Sequence, residues 1–382
     1  MDEIDPAEWD RLTKDLPTPL LDHAWLSHLE RSGSITPRSG WDPHHLVLYE
    51  KGRLVAAAPL YLRDNSWGEF VFDFAFSQVA DEINAPYYPK LVGMSPATPS
   101  SAYALLTEEG REAELSARLL EETERWCRRE GVPVLQFNYV LPDYRTPFET
   151  AGMLAWEHHG YAWYNEGFSR FEDYLARFRK NQRRNVKRER RSLEEQGLTV
   201  RVVPAVGAPE HYFARMAEYY LRTNAQFGPY AARFLESRFF TTMPEKVRRL
   251  VYFVVALPVD AAGTGAEIAA NSDPVAMAML VRKASQILGR YWGTREPLKD
   301  LHFNVCYYEP IDWAIREGIE VFDPGMGSEH KVRRGFRSIA NYSMHRFFDP
   351  SMQAILEANI DRINAWERQA IRTLDEAVPY KA

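Results

Sequence analysis

The sequence predicts an α/β protein built from two similar domains in tandem. An order of hairpin, strand, helix, glycine and strand occurs twice along the 382 residues. A chain of this length also exceeds what one hydrophobic core usually organises. The composition, with 45% hydrophobic and 26% charged residues, is typical of a soluble globular protein. We therefore expect each domain to be a mixed sheet flanked by helices.

The first copy of this order begins with HLVLYEKGRLVAAAPLYLR, from 45 to 63. Its two apolar runs flank Lys51-Gly52, which predicts a β-hairpin. GEFVFDF (68–74) reads as a third strand. A helix then ends in Arg-Glu-Gly at 129–131, where glycine supplies the usual left-handed stop, and VPVLQFNYV follows as a strand. The inserted APYYPKLVGMSPATPSS is predicted to be a loop because of its prolines and serines.

The second copy has RLVYFVVALP (249–258) and PVAMAMLVRK (274–283), joined by a loop rich in Gly, Ala and Asp. LGRYWGT (288–294) is the next strand. LHFNVCYYEP is interpreted as a strand that leads into a helix, with His302 and Asn304 on one strand face. This helix again ends in Arg-Glu-Gly, and IEVFDPG follows it as a strand.

The domain boundary is expected near 150–170, with an N-terminal domain over 1–165 and a C-terminal domain over 166–382. After Pro350 the apolar residues recur at helical spacing, which predicts a long C-terminal helix packed against one of the domains. These residues are Met352, Ile355, Leu356, Ile360, Ile363, Trp366, Ile371 and Leu374.

Several classes of protein are disfavoured by what the sequence contains. Cys127 and Cys306 are the two cysteines and lie far apart, which argues against a disulfide framework or a thiolate metal site and favours a reducing compartment. The acidic N-terminus does not resemble a signal peptide, and no apolar run approaches the roughly 18 residues of a membrane span. We expect a cytoplasmic protein without a metal site, since the paired histidines at 44–45 and 158–159 lack ligand spacing.

Positive charge is concentrated in one predicted helix. Nine of the fifteen residues from Arg177 to Arg191 are Lys or Arg, and Glu189 is the one acid among them, in a chain whose net charge is −6. A stripe of Leu175, Phe178, Val186 and Leu193 is expected to dock this helix. An exposed helix neutralised by the acidic rest of the chain remains an alternative to phosphate-backbone binding. The residues predicted to bind nucleic acid are Arg179, Lys180, Arg183, Arg184, Lys187 and Arg188.

These features together resemble a known family. The segments GWDPHHL, PLYLR, GEFVFD, YYPKL, SPATP, FEDYLARFRKNQRRNVKRER, GRYWG and SEHKVRRGF occur in this order. They resemble the Fem-like proteins of the peptidoglycan biosynthesis/recognition group, which are related to Fem-type aminoacyltransferases. The resemblance covers nearly all of 20–350 and implies tandem GNAT-like acyltransferase domains. It also implies N-acyl transfer from an activated donor to a small-molecule or peptide amine, with a cell-wall precursor as one candidate acceptor.

The acyl donor is the open question. Acetyltransferases of this fold hold the CoA pyrophosphate with a [RQ]xxGx[GA] turn at a helix N-terminus, and no such turn is found here. The resemblance to Fem enzymes therefore favours aminoacyl-tRNA as donor, with no tightly bound cofactor. Two alternatives stay open. One is an acyl-CoA-dependent GNAT enzyme with a divergent loop, and the other is a non-catalytic protein that binds nucleic acid or a precursor.

The loop DPGMGSEHKVRRGF contains the most candidate catalytic groups. Lys331 or Arg333 is interpreted as the cation that stabilises negative charge on the donor, since Fem enzymes carry a Lys two residues before a Gly-Phe pair. Glu329 or His330 is a candidate acceptor of the amine proton, and Asp323 belongs to the same loop. A solvated loop held by internal salt bridges is the alternative. Tyr307 and Tyr308 stand at the predicted strand-to-helix transition, where GNAT folds often present a hydroxyl to the leaving group, and Tyr308 is the candidate donor of the two.

The remaining candidates are predicted to bind substrate. His302 and Asn304 would face the cleft, with a core histidine as the alternative, and Arg290 lies on the strand at the expected central splay. The inserted loop of the first domain could bind phosphates or carboxylates of an acceptor, or be a stiff structural loop. Its candidates, with Arg334 from the second domain, are Tyr87, Tyr88, Lys90, Ser95, Thr98 and Arg334.

Overall fold

The computed structural model describes residues 1–228, 234–259, 272–327 and 329–381. These form two compact units. Unit 1 comprises 1–160 and 340–372, and unit 2 comprises 161–339 with 373–382. The predicted loop between the first two strands of the second copy lies largely outside the described residues.

Unit 1 is a mixed α/β structure, as predicted. Its helices up to residue 160 are α1 (Pro6–Thr13), α2 (His23–Arg31), α3 (Phe74–Glu82), α4 (Glu112–Glu130) and α5 (Thr146–Thr150). Its strands are β1 (Asp42–Pro43), β2 (Leu46–Glu50), β3 (Arg53–Ala58), β4 (Leu60–Arg63), β5 (Lys90–Gly93), β6 (Leu106–Thr107), β7 (Val134–Val140) and β8 (Leu154–Tyr164), whose last residues belong to unit 2.

Unit 1 contains two sheets. The chain leaves the first sheet at Pro59, between β3 and β4, and enters the second. β2 and β3 make the predicted hairpin, in which Lys51 and Gly52 both have positive φ, as a tight two-residue turn requires. β3 also pairs with β6. After Pro59, β4 joins a second sheet in the order β1, β4, β5, β7, in which β5 and β7 run parallel.

Unit 2 has helices and strands of its own. The helices are α6 (Phe171–Arg177), α7 (Lys180–Glu195), α8 (Glu210–Ala225), α9 (Ser237–Thr241), α10 (Glu245–Arg248), α11 (Leu301–Phe303) and α12 (Glu309–Arg316). The strands are β9 (Leu198–Pro204), β10 (Val251–Pro258), β11 (Ala276–Lys283), β12 (Gln286–Thr294) and β13 (Val321–Asp323). β14 (Arg337–Phe347) begins in unit 2, but from residue 340 it belongs to unit 1, where it pairs antiparallel with β7. α13 (Pro350–Glu376) belongs to unit 1 up to residue 372.

The sheet of unit 2 runs in the order β9, β10, β11, β12, β13 and the end of β8. β9 to β12 are antiparallel, and β13 is parallel to β12. The inner strands are buried on both faces, since most residues of β10 and β11 are inaccessible to solvent. Gly293 on β12 allows α8 to approach closely, because a Cβ there would lie 2.2 Å from the Tyr219 carbonyl oxygen.

Three predicted elements differ from the structure. GEFVFDF is not a strand but a turn that leads into α3. LHFNVCYYEP is helical, with a π-helical turn at Asn304–Tyr308 between α11 and α12. The inserted loop of the first domain contains a paired strand, β5.

The predicted docking stripe of the basic helix also spans two elements, because the chain is extended at Phe178, between α6 and α7. Leu175 belongs to α6, whereas Val186 and Leu193 belong to α7. All four stripe residues are nevertheless buried in one hydrophobic core.

The C-terminal helix departs from the predicted domain boundaries. Although 166–382 was expected to form one domain, 340–372 belongs to unit 1. The physical reason is a hydrophobic cluster in which Met352, Leu356 and Ile360 of α13 pack with Phe76 of α3 and Tyr87. Trp366, part of the predicted apolar face, is 65% exposed.

A buried histidine in unit 1 predicts acid sensitivity. His345 on β14 has no exposed surface, and its burial lowers its pKa from 6.5 to about 4, with Asp73 opposing and Lys90 reinforcing the shift. The unfolded chain therefore binds a proton below pH 6.5 that the folded chain does not. The free energy of unfolding therefore decreases as pH falls from 6.5 towards 4. At about pH 5, His345 accounts for a decrease of about 2 kcal/mol relative to neutral pH.

Denaturant unfolding of the wild type and of His345→Asn at pH values of about 7 and about 5 measures this contribution. The variant should lose less stability between the two pH values than the wild type does. His159→Asn, which changes an exposed histidine, should leave the pH dependence unchanged. An equal loss in His345→Asn and the wild type would contradict the assignment.

Candidate active site

A cavity opens in unit 2 where two parallel strands stop pairing. β12 and β13 pair over Gln286–Leu288 and Val321–Asp323. Immediately beyond, the register of β12 shifts and Arg290 is the extra residue of a β-bulge. After Asp323 the chain continues as a loop, and a cavity of about 260 Å³ is lined by the bulged part of β12 and by Pro324, Met326 and Gly327 of this loop.

Three polar side chains reach this cavity from one helical turn. His302, Cys306 and Tyr307 all line it. The π-helical turn at Asn304–Tyr308 wraps more residues per turn than an α-helix does, which places positions i, i+4 and i+5 on the same side. Trp292 of β12 packs against the His302 ring with centroids 4.4 Å apart. A local irregularity of the helix therefore builds one wall of the cavity.

The polar groups form a hydrogen-bonded chain. The Tyr307 hydroxyl lies 3.0 Å from Nε2 of His330 and 3.4 Å from Nε2 of His302. The Cys306 sulfur lies 3.5 Å from Nδ1 of His302. Because His330 also lines the cavity, a tyrosine hydroxyl stands between two imidazoles on the cavity wall.

Burial fixes the protonation of this chain. It lowers the pKa of His302 to about 3 and that of His330 to about 4, and nearby Arg334 and Lys331 act in the same direction. Burial also raises the pKa values of Tyr307 and Cys306. At neutral pH the imidazoles are thus uncharged, and the phenol and thiol keep their protons. Such a chain can pass a proton without carrying a net charge.

The loop that follows β13 is fixed by two of the predicted catalytic residues. An oxygen of Asp323 accepts a hydrogen bond of 2.7 Å from the Gly325 amide, and Nζ of Lys331 donates one of 2.6 Å to the Gly325 carbonyl. Lys331 is buried, and this burial lowers its pKa to about 8. Lys331 does not line the cavity. We therefore interpret Asp323 and Lys331 as residues that position the cavity loop.

Arg334, Tyr308 and Asn304 also have structural partners instead of facing the cavity. Arg334 forms an ion pair of 2.8 Å with Glu189, lies 3.3 Å over the Phe303 ring, and is buried. Tyr308 donates its hydroxyl to the same Glu189 carboxylate. Asn304 donates to the Glu189 carbonyl at 2.9 Å. The structure does not bring the predicted Tyr308, Asn304 and Arg334 to the cavity, and their polar groups hold α7 in place.

The two other loop candidates point outward. Glu329 and Arg333 are exposed and do not line the cavity. The Arg333 carbonyl accepts a hydrogen bond of 2.7 Å from Gln182, which ties the loop to α7. Of the residues predicted in this loop, His330 is the one whose side chain reaches the cavity. Arg290 and His302, predicted to bind substrate, line it as well.

The basic helix presents a continuous cationic stripe. Lys180, Arg183, Arg184, Lys187 and Arg188 lie at positions i, i+3, i+4, i+7 and i+8 of α7, a spacing that puts them on one side over about 12 Å. Within the described ranges, none of these side chains takes part in an ion pair. Glu189 is turned inward, and Arg190 and Arg191 pair with acids. Arg179 donates to the Tyr380 carbonyl and extends the positive charge beyond the helix.

The substrate-binding residues predicted in unit 1 lie in its interior. Lys90 has no exposed surface and pairs with Glu69 at 2.7 Å and with Asp73. Tyr87 is buried and donates to Asp73 at 2.8 Å. Arg63 pairs with Glu69 on the other side at 3.3 Å. Lys90 and Tyr87, which were predicted to bind an acceptor, thus have their polar groups occupied inside the protein.

Three further candidates from the same segment have internal partners. Ser95 and Thr98, which were predicted to contact substrate, are buried and donate to the carbonyls of Leu20 and Pro96. Tyr88 is half-buried and its hydroxyl lies 2.8 Å from the Ser66 hydroxyl. This segment is therefore part of the structure of unit 1.

Several residues that line the cavity were not among the predicted site residues. Tyr307 was considered together with Tyr308, but only the structure shows which of the two faces the cavity. Cys306, Met279, Met326 and Tyr291 line it without having been predicted to do so. Trp292 lines the cavity as well and packs against His302. His302 and Tyr307 share one side because of the π-helical turn, since positions i and i+5 lie on opposite faces of a strand.

Two classes of site are not found in the described part of the chain. No group of three or more His, Cys, Asp or Glu is arranged to hold a metal ion among residues 1–228, 234–259, 272–327 and 329–381. Over the same ranges, no helix has both the length and the apolar character that a membrane span requires.

Comparisons with solved structures agree with the fold. FemX is 13% identical, with a TM-score of 0.54 over 93% of this chain and 98% of that one. The C-terminal domain of a putative lysylphosphatidylglycerol synthetase from Agrobacterium fabrum is 13% identical, with a TM-score of 0.51 over 93% of this chain and 96% of that one. L-PGS from Bacillus licheniformis is 10% identical, with a TM-score of 0.51 over 93% and 97%. At such identities the likeness concerns the fold alone.

Sequence comparison identifies the family. No curated protein matches the chain. The sequence profile of the FemAB_like family, described as peptidoglycan biosynthesis/recognition, matches residues 1–382. The chain therefore belongs to the FemAB_like family, and its fold is similar to that of FemX.

Proposed function

We propose that this protein transfers an aminoacyl group from aminoacyl-tRNA to an amine, in the cavity of unit 2. The observation that carries the proposal is the hydrogen-bonded chain of His302, Tyr307 and His330 on the cavity wall, beside the bulged strand. The family description makes a cell-wall precursor with a free amine the natural class of acceptor.

The reaction requires one proton to leave and one to arrive. The amine nitrogen attacks the ester carbonyl, a C–N bond forms, and the C–O bond to the ribose breaks. The nitrogen loses a proton and the ribose oxygen gains one, so that no net proton is consumed. Tyr307 is suited to donate to the leaving oxygen because it stays protonated, and a neutral imidazole can replace its proton. Arg290 at the bulge would stabilise negative charge on the carbonyl oxygen.

The choice of tRNA over CoA rests on two features of unit 2. The segment 295–300 that precedes α11 contains no glycine, so it lacks the turn with which acetyltransferases of this fold hold a pyrophosphate. The cationic stripe of α7, by contrast, suits a phosphate backbone. Hydrogen bonds from Gln182 and to Glu189 join α7 to the segments that bear His330 and Tyr307.

Charge reversal on α7 tests the tRNA docking. The triple variant Arg184→Glu, Lys187→Glu, Arg188→Glu changes exposed side chains of the stripe. Affinity for a mixed aminoacyl-tRNA pool should fall at least about tenfold, and the slope of log K against log salt should decrease by about 2 to 3, as expected when three phosphate contacts are lost. Equilibrium binding at two salt concentrations, with acetyl-CoA as competitor, measures both effects.

A control variant carries the same change in net charge elsewhere. Arg125→Glu, Arg129→Glu, Arg249→Glu replaces exposed arginines that already pair with neighbouring acids, and it should bind tRNA like the wild type to within about twofold. If both variants lose the same tRNA affinity, the loss reflects the net charge of the protein and not docking on the stripe. Displacement of tRNA by acetyl-CoA, or no tRNA binding at all, would argue for a thioester donor instead.

A further inference from the structure

Unit 1 contains a groove that the proposed reaction does not use. It lies along α4 and is bounded by the segment from Asp143 to Ala151, which includes α5, with a volume of about 640 Å³. This volume lies within the range of small-molecule sites in proteins. The groove is therefore large enough for an organic ligand.

The floor of the groove is apolar and its walls carry small side chains. Leu105 and Leu120 are buried beneath it. Ala113 and Ala117 of α4 face it from one side, and Pro147 and Ala151 from the other. Small residues at these positions leave the space open, and a ligand must present an apolar body to fill it.

The charged residues of the groove all have one sign. Glu112, Glu121, Glu124 and Asp143 line it, and no Lys or Arg does. Glu121 pairs with Arg125 and Glu124 with Arg346. Within the described ranges, neither Glu112 nor Asp143 takes part in an ion pair. The groove thus combines an apolar interior with negative charge that the protein itself leaves partly uncompensated.

The negative charges of the groove affect the pKa of Tyr144, which lies on its wall. Its pKa is raised, first by burial and then by the charges of Asp15, Asp143 and Glu112. Glu112 and Glu114 occupy the first turn of α4, where a phosphate group would otherwise find unpaired backbone amides. An anionic ligand such as a nucleotide is disfavoured at this position by like charge.

We propose that this groove binds an organic cation with an apolar body, such as an alkylammonium group carried on an aliphatic chain. Charge complementarity selects the cation, and the apolar floor holds the chain. The proposal is independent of the acyl transfer assigned to unit 2.

Titration calorimetry with n-octylammonium, n-octanoate and n-octanol tests the proposal directly. The three probes share one alkyl chain and differ in charge. Octylammonium should bind at a single site, and octanoate should bind at least about tenfold more weakly because of the acids. Octanol should fall between them. Equal or tighter binding of octanoate or octanol, or no binding of octylammonium at millimolar concentration, would overturn the proposal.

Two variants locate the binding site. Ala117→Trp fills the groove from an exposed position of α4 and should abolish octylammonium binding, whereas Ala370→Trp, at an exposed position of α13 outside the groove, should not. The double variant Glu112→Gln, Asp143→Asn should lower octylammonium affinity about fivefold and leave octanol binding unchanged. If Ala117→Trp has the melting temperature of the wild type and binds octylammonium with unchanged affinity, the ligand does not bind in this groove.

Discussion

Replacing Tyr307 with phenylalanine should lower the rate of aminoacyl transfer by about a hundredfold or more, the size expected for loss of a positioned general acid. The substitution removes one oxygen from the hydrogen-bonded chain and leaves the aromatic ring against His330 and Phe336. KM for aminoacyl-tRNA should change little, because the hydroxyl acts on the leaving group and not on donor binding. Single-turnover transfer with saturating donor measures the effect.

The neighbouring tyrosine provides a matched control. Tyr308→Phe also removes one hydroxyl, but this hydroxyl donates to Glu189, which Arg334 also contacts. We expect a loss of about 1 to 3 kcal/mol of folding stability, since Glu189 loses a partner, with transfer rates close to wild type. A large rate loss in Tyr308→Phe together with a normal rate in Tyr307→Phe would contradict the assignment of the hydroxyl donor.

Lys90→Met should destabilise the protein by about 3 to 5 kcal/mol, the typical cost of breaking a buried ion pair from one side. Lys90 is fully buried, and its amine is the shared partner of Glu69 and Asp73. Burial lowers the pKa of this lysine, but Glu69 and Asp73 outweigh it and raise the pKa overall. Removing the amine leaves two buried carboxylates with fewer compensating partners. Denaturant unfolding, followed by a probe in unit 1, measures the loss.

Lys14→Met is the control for this substitution. Lys14 also pairs with two acids, but its side chain is 55% exposed, and exposed pairs contribute little to stability. Its removal should leave unfolding almost unchanged. If Lys90→Met were as stable as wild type but failed to bind an acceptor, the lysine would be a substrate ligand and the structural account of the cluster would be wrong.

The same cluster shows why one strand was mispredicted. In residues 68–74 an aromatic residue occupies every second position, at Phe70, Phe72 and Phe74. This pattern predicts a strand whose aromatic face is buried. In the structure Glu69 and Asp73 are buried, whereas Phe72 is 60% and Phe74 53% exposed. The acids turn inward because their cationic partners Arg63 and Lys90 are buried beside them. Such a pairing is invisible in a local pattern, since the partners lie outside the segment.

The error at LHFNVCYYEP has a different origin. Leu301 and Val305 are core residues both in a strand, where they fall at even spacing, and in a helix, where they fall four apart. Periodicity alone could not decide between the two, and the π-helical turn that brings His302 and Tyr307 together leaves no signature that we can identify in the letters. The side chains of the cavity could therefore be named in part, but not oriented.

Other features could be predicted because they depend on local chemistry. The hairpin turn at Lys51-Gly52 and the glycine stop after α4 need backbone conformations that particular residues supply, and both are confirmed. The α/β fold class and the division of the chain into two units are confirmed, since hydrophobic runs and turns in the sequence indicate most of the strands and helices. The elements that were mispredicted are one whose buried acids have partners outside the segment, at 68–74, and one whose periodicity fits both a strand and a helix, at 301–310.

The measurement that tests the central claim most directly is amide formation from a purified aminoacyl-tRNA pool. The protein is incubated with this pool and a lysine-containing peptide, and the peptide is analysed by mass spectrometry. The account predicts an aminoacylated peptide whose formation depends on Tyr307 and on the cationic stripe of α7. Amide formation from acetyl-CoA but not from aminoacyl-tRNA, or transfer that is unchanged in Tyr307→Phe, would contradict it.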